Sequence, residues 1–509
     1  MRRFKRGTTT RYKQILKNKS SILQEDMDKT FTSDIEQNES CIKEMFEDCF
    51  DIEYRRIDVN HNRKWLIIYI DSLIDNQLLE EHVLKPLVTS SAQDECHVNA
   101  EELTSELISV GTTSVSDHIS ETVSKLFQGH AAILTAGSSK VVTVCIPGLA
   151  KRSIEEPSSE PVIRGPKEGF IEHLSTNLGL IRARIKTPKL KTESITLGDY
   201  SQTCLVMTYL KGIAQESVVE QVRARLNSIQ VEGVLDSGYI EEFIEDQPYS
   251  PFPQVHSTER PDVVAAELLE GKVAILVDTS PYVLIVPMTF WTGLQSSEDY
   301  YIRWPIATFV RWVRFLFIHF AIFAPALYVA ITTFHQEMIP TNLVLSIAAS
   351  REAVPFPAMI EALLMEIMFE ALVEAGLRMP KQIGPTIGIV GGLVIGQAAV
   401  QAGLISAPVV IIVSITGIST FTTPRYSLRN GIRLLRFPVL ILAGTLGLYG
   451  IVLGFLGIML HVTSLRSFGA LYFSPVTPLK MSAFKDVLIR LPIRMKSRYK
   501  ITPEHEEGD

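Results

Sequence analysis

The stretch IEALLMEIMFEALVEAGLRMP, Ile360 to Pro380, sets four carboxylates (Glu361, Glu366, Glu370 and Glu374) among side chains suited to a lipid-facing helix. At roughly 100° per residue, Glu366, Glu370 and Glu374 share a stripe about 80° wide, one turn apart. Leu364, Met365, Met368, Ala371, Leu372 and Ala375 cover the opposite half. Glu361 lies off the stripe near the N-terminal end, where a carboxylate suits the helix dipole. An acidic residue at mid-bilayer costs about 2.5 to 3.5 kcal/mol on insertion scales, and each large aliphatic offsets about 0.3 to 0.6. Three central carboxylates therefore cost about 8 to 10 kcal/mol against roughly 3 to 5 recovered, so the stripe must face water, a cation or a partner. Three readings satisfy that condition: a helix lying on the membrane surface, buried pairing with arginines or a partner subunit, and a pore helix. In the last, copies around an axis stack acidic rings about 6 Å apart that favour cations.

The elements around this helix divide the 509 residues into two regimes. Residues 1 to about 300 carry charges throughout, whereas several long apolar runs lie between Phe315 and Leu460. The expected fold class is an α/β soluble N-terminal region of two similar subdomains followed by an all-α polytopic membrane domain. The basic N-terminus MRRFKRGTTTRYKQILKNKSS has no apolar core or small-residue cleavage site, which argues against a secretory signal. Five cysteines, all in the soluble half and without CxxC or His spacing, suit a reducing cytoplasm. A net charge of −7 does not describe a generally basic nucleic-acid binder.

Two passages of the soluble half repeat. WLIIYIDSLID (Trp65–Asp75) and CLVMTYLKGIA (Cys204–Ala214) are strand-like runs, each passing into a helical pattern. GHAAILTAGSSKVVTVCIP (Gly129–Pro147) and GKVAILVDTSPYVLIVP (Gly271–Pro287) each read as a β-hairpin. Matches in the same order at nearly one offset predict a duplication. The expected domains are a mobile polar tail (1–36), subdomain 1 (37–155), a linker (156–166) and subdomain 2 (167–296). A membrane domain of about five helices (297–479) and a basic then acidic tail (480–509) follow. No catalytic, cofactor or metal site emerges: RGPKEG lacks the P-loop spacing, Lys272 is followed by Val, and His118, His130 and His173 are scattered. The soluble half reads as a sensing or assembly module.

Candidate spans are Phe315–Thr333, 358–377, Gly384–Ala402, Ala407–Thr422 and Phe437–Leu460. Arg303, Arg311 and Arg314 before the first span place the N-terminal region in the cytoplasm by the positive-inside rule. Arg425, Arg429, Arg433 and Arg436 mark an expected cytoplasmic loop, but five crossings then leave the basic tail outside, a conflict of parity. Gly384, Gly388, Gly392 and Gly396, at strict four-residue spacing, predict a smooth face for close helix packing.

The chain resembles the A subunit of the spore germinant receptors, the GerA family. The resemblance rests on EPVIRGPKEGF (Glu160–Phe170), GYIEEFIEDQPYSPFPQVHSTERPD (Gly238–Asp262), LLEGKVAILVDTSPYVLIVP (Leu268–Pro287), RFLFIHFAIFAPALYVA (Arg314–Ala330), REAVPFPAMIEALLMEIMFEALVEAGLRMP (Arg351–Pro380) and LRNGIRLLRFP (Leu428–Pro438). It implies a non-enzymatic, multi-pass receptor subunit of the inner membrane of the bacterial spore, acting with a transporter-like B subunit and a lipoprotein C subunit. It implies a homo-oligomer of A subunits in membrane lipid that conducts monovalent cations, which converges with the reading of Glu366, Glu370 and Glu374 as pore-lining; no nucleic-acid partner is expected. The matching loop with Arg164, Gly165, Pro166 and Glu168 connects the subdomains and is a candidate for coupling their angle to the pore. The alternatives are a spore stage V paralogue linked to dipicolinate release and a non-conducting membrane scaffold for the receptor complex.

Overall fold

Runs of β-branched and aromatic residues in the first half of the chain form strands, and the segments of helical periodicity between them form covering helices. A computed structural model describes residues 29–58, 64–90, 112–148, 156–157, 159–378, 394–477 and 486–492. They fall into two compact units: residues 1–157, 167–240 and 257–285 in the first, and 158–166, 241–256 and 286–509 in the second.

The first unit begins with α1 (Ile35–Met45), β1 (Ile52–Asp58), β2 (Lys64–Ile70) and a helical run, α2, over residues 76–90. β3 (Thr113–Ser116), α3 (Ile119–Leu126), β4 (His130–Thr135) and β5 (Val141–Cys145) complete the first repeat. The second contains α4 (Leu174–Arg184), β6 (Leu190–Leu197), β7 (Thr203–Leu210), α5 (Glu216–Ser228), α6 (Ser237–Ile244), β8 (His256–Thr258), α7 (Pro261–Glu270), β9 (Val273–Val277) and β10 (Val283–Val286). The two five-stranded sheets have the corresponding orders β1-β2-β4-β5-β3 and β6-β7-β9-β10-β8. The repeat read from sequence is thus a repeat of topology. In both sheets the central strands are covered on both faces, which is why WLIIYI and VAILV are apolar without alternation.

The repeats meet at a buried ion pair. Arg182 of α4 is 0% exposed and donates through Nε (2.9 Å) and Nη2 (2.7 Å) to Asp51, which opens β1. Thr192 Oγ1 of β6 also donates to Asp51 at 2.9 Å, and Arg182 Nη1 donates to the Leu190 carbonyl at 3.0 Å. Backbone bonds Phe50 N–H to Thr192 O and Thr192 N–H to Asp48 O complete the seam. Residues 1–28 of the expected mobile tail lie outside the described residues, but the ordered fold starts before residue 37. Phe31 is buried and Thr30 bridges to His118, because an aromatic side chain there fills the first core.

The second unit carries α8 (Trp304–Phe334), α9 (Thr341–Arg351), α10 (Ala358–Leu377), α11 (Ala407–Phe421), α12 (Tyr426–Leu446), α13 (Leu448–Ser464) and a small hairpin, β11 (Arg466–Ser467) with β12 (Ala470–Leu471). Among the described residues α8 alone is long and apolar enough to cross a membrane, and α11 and α13 are shorter apolar helices. The expected span Phe437–Leu460 is divided. Gly447, at φ +61°, ends α12, and α13 starts one residue later and returns along it. A uniformly apolar run hides that break from any hydropathy count. The close return depends on Gly450, where a Cβ would lie 2.0 Å from the Leu442 carbonyl oxygen. Met288 N–H donates to Ser467 Oγ, which donates in turn to the Gln254 carbonyl, so the hairpin after α13 is fixed to residues 241–256 of the same unit.

Two measurements check the first unit. Arg182→Met strands the buried Asp51 carboxylate and should destabilise the fold by about 3 to 5 kcal/mol, read as a lowered urea midpoint. Adding Asp51→Leu should recover much of the loss, and an unchanged midpoint in the single variant would contradict the seam. In β6, burial alone would raise the Glu193 carboxyl, but hydrogen bonds from Arg223 and Tyr209 outweigh it and hold the group below its ordinary range. Its stabilisation is therefore complete above the unfolded value of about 4.3 and lost as pH falls through the lowered folded value. Urea midpoints taken stepwise into acid should lose that part of their pH dependence in Glu193→Gln; wild-type slopes in the variant would refute it.

Candidate functional site

The chain enters α10 through Pro357, and Glu361 falls in the first turn. Its side chain is 0% exposed and does not simply meet its own helix dipole. Its Oε2 accepts from the Ser406 backbone N–H (3.0 Å) and hydroxyl (2.7 Å), and Arg351 Nε lies 3.2 Å from Oε1. Ser406 is the N-cap of α11, so Glu361 places a negative charge at the positive end of that helix.

One and two turns further on, the stripe meets α12. Glu366 is 0% exposed and accepts from Arg436 Nη1, and Glu370 accepts from Arg433 Nη2. Arg436 is itself 0% exposed and satisfies three helices besides its own. Nε donates to the Ala321 carbonyl of α8 at 2.9 Å and Nη2 to Thr420 Oγ1 of α11 at 2.7 Å, while Nη1 takes Glu366 of α10. The same Nη1 lies 3.9 Å from Glu370 Oε1. Glu374 differs: its side chain is 58% exposed and, among the described residues, bonds Arg378, four residues along the same helix.

The three glutamates therefore do not share one environment. Two are countercharged inside the helical unit, and the third sits at its surface. Packing explains how α10 comes so close to its neighbours. Gly417 of α11 leaves room for the Phe369 ring, whose nearest atom would lie 2.4 Å from any added Cβ. The outward face of α10 carries Leu364, Ile367, Met368, Ala371, Glu374 and Ala375, all exposed and at helical spacing. The arginines read as a loop are, from Arg429 onward, residues of α12. Arg429, Arg433 and Arg436 recur at i, i+4 and i+7, which puts them on one face of α12 as the glutamates lie on one face of α10, and that shared one-sidedness was the available signal for the pairing.

The other proposed positions fall as follows. Gly384, Gly388 and Gly392 lie outside the described residues. Gly396 sits in a helical segment over 394–401, where an added Cβ would lie 3.2 Å from Val410 of α11. Arg164 is exposed, and Gly165 (φ +147°) faces the Tyr301 ring, with Pro166 ending that loop. Glu168 pairs with Arg184 of α4, inside the second repeat. Asp51 and Arg182 join the repeats across the seam.

The chain thus joins a duplicated α/β unit to an apolar helical unit with an internal charge ladder, in which one helix among the described residues is long and apolar enough to cross a membrane. A family model described as Bacillus/Clostridium GerA spore germination protein matches residues 40–501, and the chain belongs to that family of A-type germination receptor subunits. It is 44% identical over 471 residues to uncharacterized membrane protein YfkQ of Bacillus subtilis (strain 168), covering 92% of this chain and 91% of that one. Against spore germination protein A1 of the same organism the identity is 40%, over 89% of this chain and 94% of that one. A crystal structure of the N-terminal domain of the A subunit of the Bacillus megaterium spore germinant receptor GerK3 aligns at 35% identity and a TM-score of 0.41. It covers 52% of this chain and 98% of its own.

Arg436→Met leaves Glu366 buried without a countercharge and should cost about 3 to 5 kcal/mol, read as a lowered unfolding temperature in detergent. The double variant Arg436→Met with Glu366→Leu should regain most of it. Equal losses in single and double variants would show that the pairing does not hold these helices together.

Proposed function

We propose that the chain is the A-type subunit of a nutrient-responsive germination receptor in the inner spore membrane, acting with a transporter-like B subunit and a lipoprotein C subunit. Its soluble half lies in the cytoplasm, as the arginines preceding α8 favour. Several copies surround an axis, and α10 borders a path for monovalent cations whose opening begins germination.

The observation that carries this reading is the two-faced character of α10. Its inner carboxylates are neutralised by α12, while its outer face is an apolar stripe with Glu374 at one end. Such a stripe suits a lumen closed by dewetting, with one acidic ring that selects cations. Glu366 and Glu370 join Glu374 as lining residues in a rearranged, conducting state, reached when Arg436 and Arg433 release them. The relatives' names support the germination role.

The same pairing favours a second reading, a non-conducting scaffold, because a fully countercharged ladder also suits a static bundle. Cation flux through the reconstituted receptor separates the two. Glu374→Gln should lower flux at normal protein level, and the triple change of Glu366, Glu370 and Glu374 to Gln should abolish it. Unaltered flux and germination in both variants would leave the scaffold, as would a monomeric A subunit in the purified complex.

A further inference from the structure

At the start of α12 lies a cavity of about 220 Å³ that the charge ladder does not use. Glu160, Ser296, Ser297, Thr423, Arg425 and Arg429 line it, all within the second unit. Its volume is below the roughly 300 to 1,000 Å³ of pockets for drug-sized ligands, so it suits a small one.

The donors in this cavity exceed the acceptors the protein supplies. The Arg425 side chain is only 7% exposed; Nη1 is held by Glu160, while Nε has no hydrogen-bond partner among the described residues. Arg429 gives Nη2 to the Thr423 carbonyl at 3.0 Å and lays its guanidinium 5.7 Å from the Phe421 ring centroid, and its Nε is likewise unpartnered among the described residues. A buried charged donor without an acceptor is costly, more so than a neutral one. Arg425 is also the N-cap of α12, and no side chain caps that helix. The first-turn N–H groups and the positive end of the dipole thus add to the same local field. Two guanidinium groups against one carboxylate leave a single net positive charge in the cavity.

We propose that this cavity binds a small oxyanion of one negative charge: a carboxylate, dihydrogen phosphate or the phosphodiester of a lipid headgroup. Its oxygens would accept from Arg425 Nε and Arg429 Nε, with the hydroxyls of Ser296 and Ser297 at the rim. Occupancy would tie the segment around Glu160 to the start of α12, whose later turns hold the glutamate helix. The site stands apart from the pore reading, since none of its residues belongs to α10.

The test uses the full-length chain, with unfolding temperature followed as each probe is added at constant ionic strength. Sodium phosphate and sodium acetate are the free probes. Vesicles of phosphatidylcholine with phosphatidylglycerol, against phosphatidylcholine alone, are the lipid probe. At least one should stabilise the wild type saturably. Arg429→Gln, which removes a donor, and Ser297→Phe, which fills the space, should each weaken that response about tenfold or more. Response to the free anions alone identifies a soluble ligand, and response to phosphatidylglycerol alone identifies a headgroup. No saturable response in the wild type, or wild-type response in both folded variants, overturns the site.

Discussion

A carboxylate carried into an apolar helical bundle must be neutralised there, and that requirement organises the second unit. Arg436 meets it for Glu366 and spends its remaining donors on the Ala321 carbonyl and the Thr420 hydroxyl. One side chain thereby fixes the mutual positions of α8, α10, α11 and α12. A buried ion pair is weak evidence of net stability, because desolvation opposes the Coulomb gain. What it supplies is specificity: sliding α10 by one turn would leave a glutamate facing the wrong arginine or none.

The soluble unit applies the same constraint at a different scale. Asp51 and Arg182 are buried where the two repeats meet, and the guanidinium is satisfied by a carboxylate and a carbonyl from opposite sides of the seam. Duplicated domains joined only by apolar contact can rock against one another. A bidentate pair with planar geometry permits much less of that motion. Any signal that passes through the soluble half must therefore break this seam or move both repeats together.

Much of this was legible in the residues, for identifiable reasons. The duplication could be read because covered strands are uninterrupted apolar runs, and those runs recur in order. The glutamate stripe could be read because helical spacing is strict. Its partners were harder to find: they lie 63 and 70 residues further on, in a stretch whose arginines look like a loop flank to any rule that counts charges as exposed. Asp51 was missed for a similar reason, since its partner is 131 residues away and nothing local marks an acidic residue as buried. Gly447 was hidden because both helices it separates are apolar. Once that turn is recognised, the segment expected to be one helix is seen as two, folded back on each other.

That turn at Gly447 bears on how the chain is made. Legs of 21 and 17 residues, packed through Gly450 and Gly454, form a helical hairpin whose tip is a single residue. Such a pair can enter a bilayer as one body, with its backbone groups already satisfied and no polar loop to drag through. Late insertion of this pair would complete the bundle by bringing Arg433 and Arg436 to glutamates already synthesised. Until that moment Glu366 and Glu370 lack their arginine partners.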